Sequence, residues 1–260
     1  NQHNNEGLAP IHYAKKPETL EGLLSLGADP NKADPIGCTV AHKAALEGNS
    51  EILQILYAHN ADLTLGNKEG NTAAAAAADK DHTAILTLLH DWGITLDQPS
   101  QDGRTPLHIA AIMGSLSSVQ LLLQFGVNLN KLSQDQDTPL SNAVIGGHLD
   151  VVQYLITQGA AIHIPVILSR DALLGYCGEN ERTQKRIAAF INNHIQQGGS
   201  ADYIPIFPID IARILEHTQI IIALENAIAL KRRQQGHHFF SQKNSMLCGQ
   251  DISLESLYSH

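Results

Sequence analysis

Apolar residues in this chain fall into two alternating patterns. Between residues 105 and 126, Leu107, Ala110 and Ala111 form a short run of mostly small side chains; Leu116, Val119, Leu122 and Leu123 follow at spacings of three, three and one. The second set is the stripe of an amphipathic helix. The first predicts a shorter helix whose small-residue face lets a neighbour approach closely. Punctuation marks the ends of both. Thr105 is suited to cap a helix by accepting a hydrogen bond, and Pro106 to its first position, where a proline's missing N–H would have no partner anyway. Gly114 separates the two helices, Gly126 closes the second, and the polar stretch 130–137 turns the chain.

The pattern repeats. Thr138 follows Thr105 by 33 residues, Thr72 precedes it by 33, and Thr39 precedes Thr72 by the same step. A first copy, beginning at Ala9, lies 30 residues before Thr39 and lacks three residues between its helices. Neither helix of a unit can bury its apolar face alone, so neighbouring units must stack. The step and the signature Thr-Pro-Leu-His-Ile-Ala-Ala at 105–111 resemble the ankyrin repeat family over residues 1–165. The resemblance implies an all-α solenoid of helix-turn-helix units with hairpin loops, five of them recognisable.

Beyond residue 165 the signature fades. Asp171 stands at the next step from Thr138, and Ile187, Phe190 and Ile191 form a helical stripe. Pro208, Ile209, Ile211 and Ala212 occupy the places of the signature Pro, Leu, Leu and Ala. Residues 166–201 and 202–236 therefore read as two degenerate repeats, the last a cap; a separate small helical domain is the alternative. Residues 237–260 read as a tail or docking segment.

Charge and composition narrow the function. The chain has 26 acidic and 17 basic residues, a net charge of −9, which argues against a nucleic-acid partner. Residues 1–166 hold 17 acidic and 8 basic residues, whereas 167–260 hold nine of each, consistent with two differently built portions. Cys38, Cys177 and Cys248 form neither a disulfide framework nor a CxxC site, pointing to a reducing, cytoplasmic setting. The most apolar run, Ile220–Leu230, is interrupted by Glu225 and Asn226 and is too short to span a bilayer. A soluble monomer is expected, and the absence of a starting Met suggests a trimmed fragment.

The motifs carry little chemistry. No phosphate-binding glycine loop, HExxH or GxSxG occurs. His12, His42 and His108 recur within the signature, but Ala75 and Ser141 interrupt the column and no carboxylate recurs at ligand spacing, so a structural role outweighs a metal or proton-transfer role. In ankyrin repeats a histidine at this place ties the capping Thr to the neighbouring unit. Cys177 with His194 and Asp171 is the sharpest enzymatic combination, and a cysteine filling a small apolar site outweighs it. No cofactor and no metal are expected. Trp92 and Phe125 end second helices in adjacent units and are expected to stack.

By the family resemblance the chain is a non-enzymatic interaction scaffold that binds a protein through hairpin tips and the concave face. A targeting module cut from a larger enzyme or a secreted bacterial effector is the alternative. The recognition positions implied are Ile36, Leu46 and Glu47 in the second unit and Glu69, Asp79 and Lys80 in the third. Asp102, Arg104, Ile112 and Met113 follow in the fourth, and Asp135, Asp137 and Ile145 in the fifth. Leu46, Ile112, Met113 and Ile145 form an apolar line, and the acidic tips around it favour a partner with a basic rim. Two departures stand out: Asp81 replaces an inter-helix Gly, and Gln136 replaces a hairpin Gly. The end, Ser-Leu-Glu-Ser-Leu-Tyr-Ser-His, resembles the export signals of ankyrin effectors secreted by intracellular bacteria such as Legionella, which would place the protein in a host cytoplasm; an ordinary tail competes with that reading.

Overall fold

The computed structural model describes residue 4 and residues 7–168, 180–200 and 204–248. After a 3-10 turn, Pro10–Tyr13, helix α1 spans Pro17–Ser25. Four helix pairs follow: α2 (Val40–Glu47) with α3 (Ser50–Ala58), α4 (Ala73–Asp79) with α5 (Thr83–Asp91), α6 (Pro106–Met113) with α7 (Leu116–Gln124), and α8 (Pro139–Gly146) with α9 (Leu149–Thr157). They stack in two rows. The inner row runs α2, α4, α6, α8, and the outer row runs α1, α3, α5, α7, α9. The inner helices approach closely because small residues face their neighbours: Ala44 and Ala45, Ala77 and Ala78, Ala110 and Ala111 are all buried. The outer helices bury their stripes, such as Leu53 and Leu56, Leu86 and Leu89, Val119 and Leu122. Each such Leu contributes about 2 kcal/mol by leaving water, so the core is a continuous seam between the rows.

The inter-helix glycines show how adjacent units lock. α2, α6 and α8 end on Gly48, Gly114 and Gly147, all in the left-handed conformation. Above each glycine lies a histidine from the following unit. A Cβ at Gly48 would stand 2.8 Å from the His82 ring and one at Gly147 2.5 Å from His217, while His148 occupies the same place over Gly114. His82 Nε2 bonds the carbonyl of Leu46 (3.1 Å), and His148 Nε2 bonds that of Ile112 (3.0 Å), satisfying helix C-terminal carbonyls that lack intrahelical partners. In the fourth unit the smaller Ser115 takes this position and reaches the carbonyl of Asp79 (3.4 Å). That leaves room for a side chain at 81. Asp81, at φ 58°, accepts a hydrogen bond from the backbone N–H of Ser118 (2.6 Å). The loss of glycine at 81 and of histidine at 115 are thus one change.

The stack continues past residue 165 with one feature the sequence did not announce. Strand β1 (Val166–Leu168) pairs antiparallel with β2 (Ile204–Ile206), Val166 opposite Ile206 and Leu168 opposite Ile204. The helical solenoid stands, and the expectation of helices alone through 166–236 is corrected by this small ribbon. Between its strands lies α10 (Glu181–Gln196); α11 (Pro208–Ile214) and α12 (Thr218–Cys248) follow. α11 packs on α8 as α8 packs on α6, and α12 packs on α9. The signature at Pro208–Ala212 therefore marks the rung that rests on the fifth repeat. Residues 166–201 were expected to supply that rung; of them, α10 packs against α11, and Asp171 lies outside the described residues. Arg182 and Arg186 of α10 both pair with Glu216 at 2.9 and 2.6 Å. The helix of residues 218–248 runs into the expected tail, whose end, 249–260, also lies outside the described residues.

Candidate functional site

The hairpins between units are built by their first residues. Asp34 Oδ1 accepts from the N–H groups of Ile36 and Cys38, and Asn67 Oδ1 from those of Glu69 and Asn71. Successive tips then bond to one another: Lys68 N–H to Ile36 O (3.0 Å), Gln101 N–H to Glu69 O (2.7 Å) and Gln134 N–H to Asp102 O (2.8 Å). Backbone of the next tip lies directly against Gly37, Gly70 and Gly103, where a Cβ would meet it at 2.5–2.8 Å. Gln136 holds the equivalent left-handed place, φ 62°, in the hairpin before the ribbon, and it is exposed. A side chain is tolerated there because it points into solvent.

Beneath this strip, histidines join each cap to the next unit. His42 Nδ1 accepts from Thr39 N–H (3.1 Å) and faces its hydroxyl (2.9 Å), while Nε2 donates to Asn71 O (2.9 Å). His108 repeats the arrangement with Thr105 and the carbonyl of Asp137 (3.3 Å), and His12 with Ala9 and Lys32 O. The donors facing Nδ1 require the neutral Nε2–H tautomer. Burial accordingly pushes His108 down to about 4, against the opposing pull of its carbonyl partners, and lowers His42 for the same reason. These are structural histidines. In the units of His42 and His108 the Thr hydroxyl faces the ring; in the third and fifth units, which lack the histidine, Thr72 accepts from Ala75 N–H and Thr138 from Ser141 N–H.

The predicted recognition residues separate by exposure. Ile36 is 64% exposed, Met113 49% and Leu46 44%. Ile112 and Ile145 are half-buried, Ile145 packed against the core. Glu47, Glu69, Lys80, Asp102 and Asp135 are exposed; Asp79 is half-buried and paired with Lys80 at 3.0 Å. Two expectations need correction. Asp137 is fully buried and no part of an acidic rim, because the guanidinium of Arg104 covers it at 3.0 Å. Burial raises the Asp137 carboxyl, while Arg104 pulls it back by hydrogen bonding and charge. Arg104, which also reaches Asp102 at 3.4 Å, is a strut between two hairpins. Nor do Trp92 and Phe125 stack on each other. Trp92 stacks on Tyr57 (4.2 Å between centroids) and Phe125 on His90 (3.8 Å), each crossing to the preceding unit.

Sequence reasoning missed His82, His148 and His217. His82 and His148 recur 66 residues apart just ahead of second helices, but Asn49 and Ser115 at the intervening positions hide the period. Of the enzymatic combination, Cys177 and Asp171 lie outside the described residues, and His194 sits on α10. Among the described residues no group of three or more His, Cys, Asp or Glu is placed to hold a metal, and no helix is long and apolar enough to cross a membrane. A family model described as ankyrin repeats (3 copies) matches residues 9–100 and 90–165. No curated protein matches the chain.

Proposed function

Because the chain belongs to the ankyrin repeat family, whose repeats are generally protein–protein interaction modules and typically non-enzymatic, we propose that it is a non-enzymatic scaffold. It binds a protein partner through its hairpin tips and the concave face beside them. One observation carries this reading: Ile36, Leu46 and Met113 remain exposed on helix ends and a tip that the repeat otherwise packs tightly. Apolar groups gathered on one face mark interaction sites more often than they are incidental. Ile112 and Met113 lie midway along the array, where binding energy concentrates, and methionine adapts to an irregular partner. Glu47, Glu69 and Asp135 supply an acidic border that suits basic groups on the partner. The five repeats of residues 1–165 form the binding surface, and 166–236 complete and cap the stack. We further propose that the protein is a monomer in a cytoplasmic setting, and its three scattered cysteines suit the reducing conditions there.

Site-specific photo-crosslinking tests the reading. A benzoylphenylalanine at Leu46 or Met113 is expected to capture a discrete protein in cells, whereas the same group at Gln124, exposed at the end of α7 in the outer row, does not. Capture from Gln124 alone, or equally from both faces, would contradict it.

A further inference from the structure

A cavity of about 430 Å³ opens between the second and third units on the hairpin side of the inner row. Ala75 and Ala76 line it together with Cys38, His42, Leu46 and Ile109. Its origin is in the sequence. Where the second unit has His42 and Lys43, and the fourth has His108 and Ile109, the third has two methyl groups. The gap stays open because its surroundings are fixed from elsewhere. The tips are held by the bonds from Lys68 N–H to Ile36 O and from Gln101 N–H to Glu69 O, and the His42 ring by Thr39 and Asn71. The cavity is therefore formed before any partner arrives, which lowers the cost of binding there.

The chemistry of the rim narrows the occupant. Polar groups that could orient a small polar ligand are already engaged: Asn67 Oδ1 accepts two backbone N–H groups, and Asp34 accepts two more while pairing with Lys43 at 3.1 Å. Lys80 is occupied by Asp79. What remains is an apolar hollow, with the exposed carboxylates Glu47 and Glu69, the latter also accepting from Asn71 Nδ2 (3.0 Å), and the exposed ammonium of Lys68 in the same two units. Resting on the reading that this face binds a protein, we propose that the cavity is the anchor point. It takes one large aromatic or aliphatic side chain of a partner segment over Ala75 and Ala76, with an Arg or Lys of that segment meeting Glu47 or Glu69.

The test uses the full 260-residue chain and a displayed library of random dodecapeptides as probe. The enriched peptides are expected to share one Trp, Phe or Leu with an Arg or Lys within about four positions. They should bind the cavity-filling variant Ala76→Phe at least about tenfold more weakly than the parent chain. Cys38 supplies a second readout that needs no folded Ala76→Phe protein. In a Cys177→Ser, Cys248→Ser chain, bound peptide should slow maleimide modification of Cys38 by a similar factor. Peptides that ignore Ala76→Phe, leave Cys38 reactive, and yet are lost on Ile112→Glu with Met113→Glu would overturn the anchor site while the binding face stands. Peptides indifferent to every one of these changes would overturn both, and failure to enrich any peptide would overturn the anchor site.

Discussion

His108 shows how a single side chain couples two units and makes their coupling depend on pH. Its ring is neutral when it accepts at Nδ1 and donates at Nε2, and its folded pKa of about 4 lies below the ordinary 6.5. Between those values the unfolded chain binds more protons than the folded one, so stability rises with pH. The contribution, at most about 3 kcal/mol, is complete above pH 6.5 and is lost as pH falls toward 4. The raised carboxyl of Asp137 acts in the opposite sense, its contribution fading as pH rises through its folded pKa. Urea unfolding of the parent chain and of His108→Gln across pH 4–7 separates the two: the variant should show the flatter rise, and an unchanged slope would contradict the ring's assigned state. Arg104 provides a second test at this scale. Arg104→Ala strands a buried carboxylate and should cost about 3 kcal/mol, whereas a loss below about 0.5 kcal/mol would mean that Asp137 is not held by this pair.

At the level of the helix pair, glycine–histidine partnerships lock adjacent units together. Gly48→Asp places a side chain against the His82 ring and should be strongly destabilising, while the double change Gly48→Asp with His82→Ser reproduces the natural pairing of Asp81 and Ser115. The coupling in that double-mutant cycle should be about 1 kcal/mol or more in favour of the pair; strict additivity of the two unfolding free energies would refute the partnership. The third pair has a different weakness. Alanine is the best helix former, so α4 is intact, yet its methyl groups bury little area and it lacks the ladder histidine. Amide exchange should be faster over residues 72–80 than over 105–113, and equal or slower exchange would contradict the weakness of this pair. Much of this element-level structure was legible in the sequence, because Thr, Pro, His and Gly each have a local physical job at a fixed step. Less legible was anything decided by the next unit. Position 137 is equivalent to Cys38, Asn71 and Arg104, all partly exposed, yet Asp137 is buried and paired with Arg104 of the preceding unit. The ribbon was illegible for a simpler reason: Val-Ile-Leu and Ile-Pro-Ile are too short to display strand alternation.

Over the whole molecule, three kinds of tie join each unit to its neighbour: tip to tip through backbone, cap histidine forward to the next hairpin, and second-helix histidine back to the preceding helix end. Each spans only one interface, and none of them uses the exposed side chains at the ends of the inner helices. That freedom is what allows Leu46 and Met113 to be apolar and exposed without loss of fold. The most direct measurement is therefore a titration of the partner captured from Met113 against the parent chain and against Ile112→Glu with Met113→Glu. Affinity is expected to fall at least about 100-fold while the melting temperature stays within a few degrees of the parent's. Unaltered affinity in a folded double variant would contradict the placement of binding on this face.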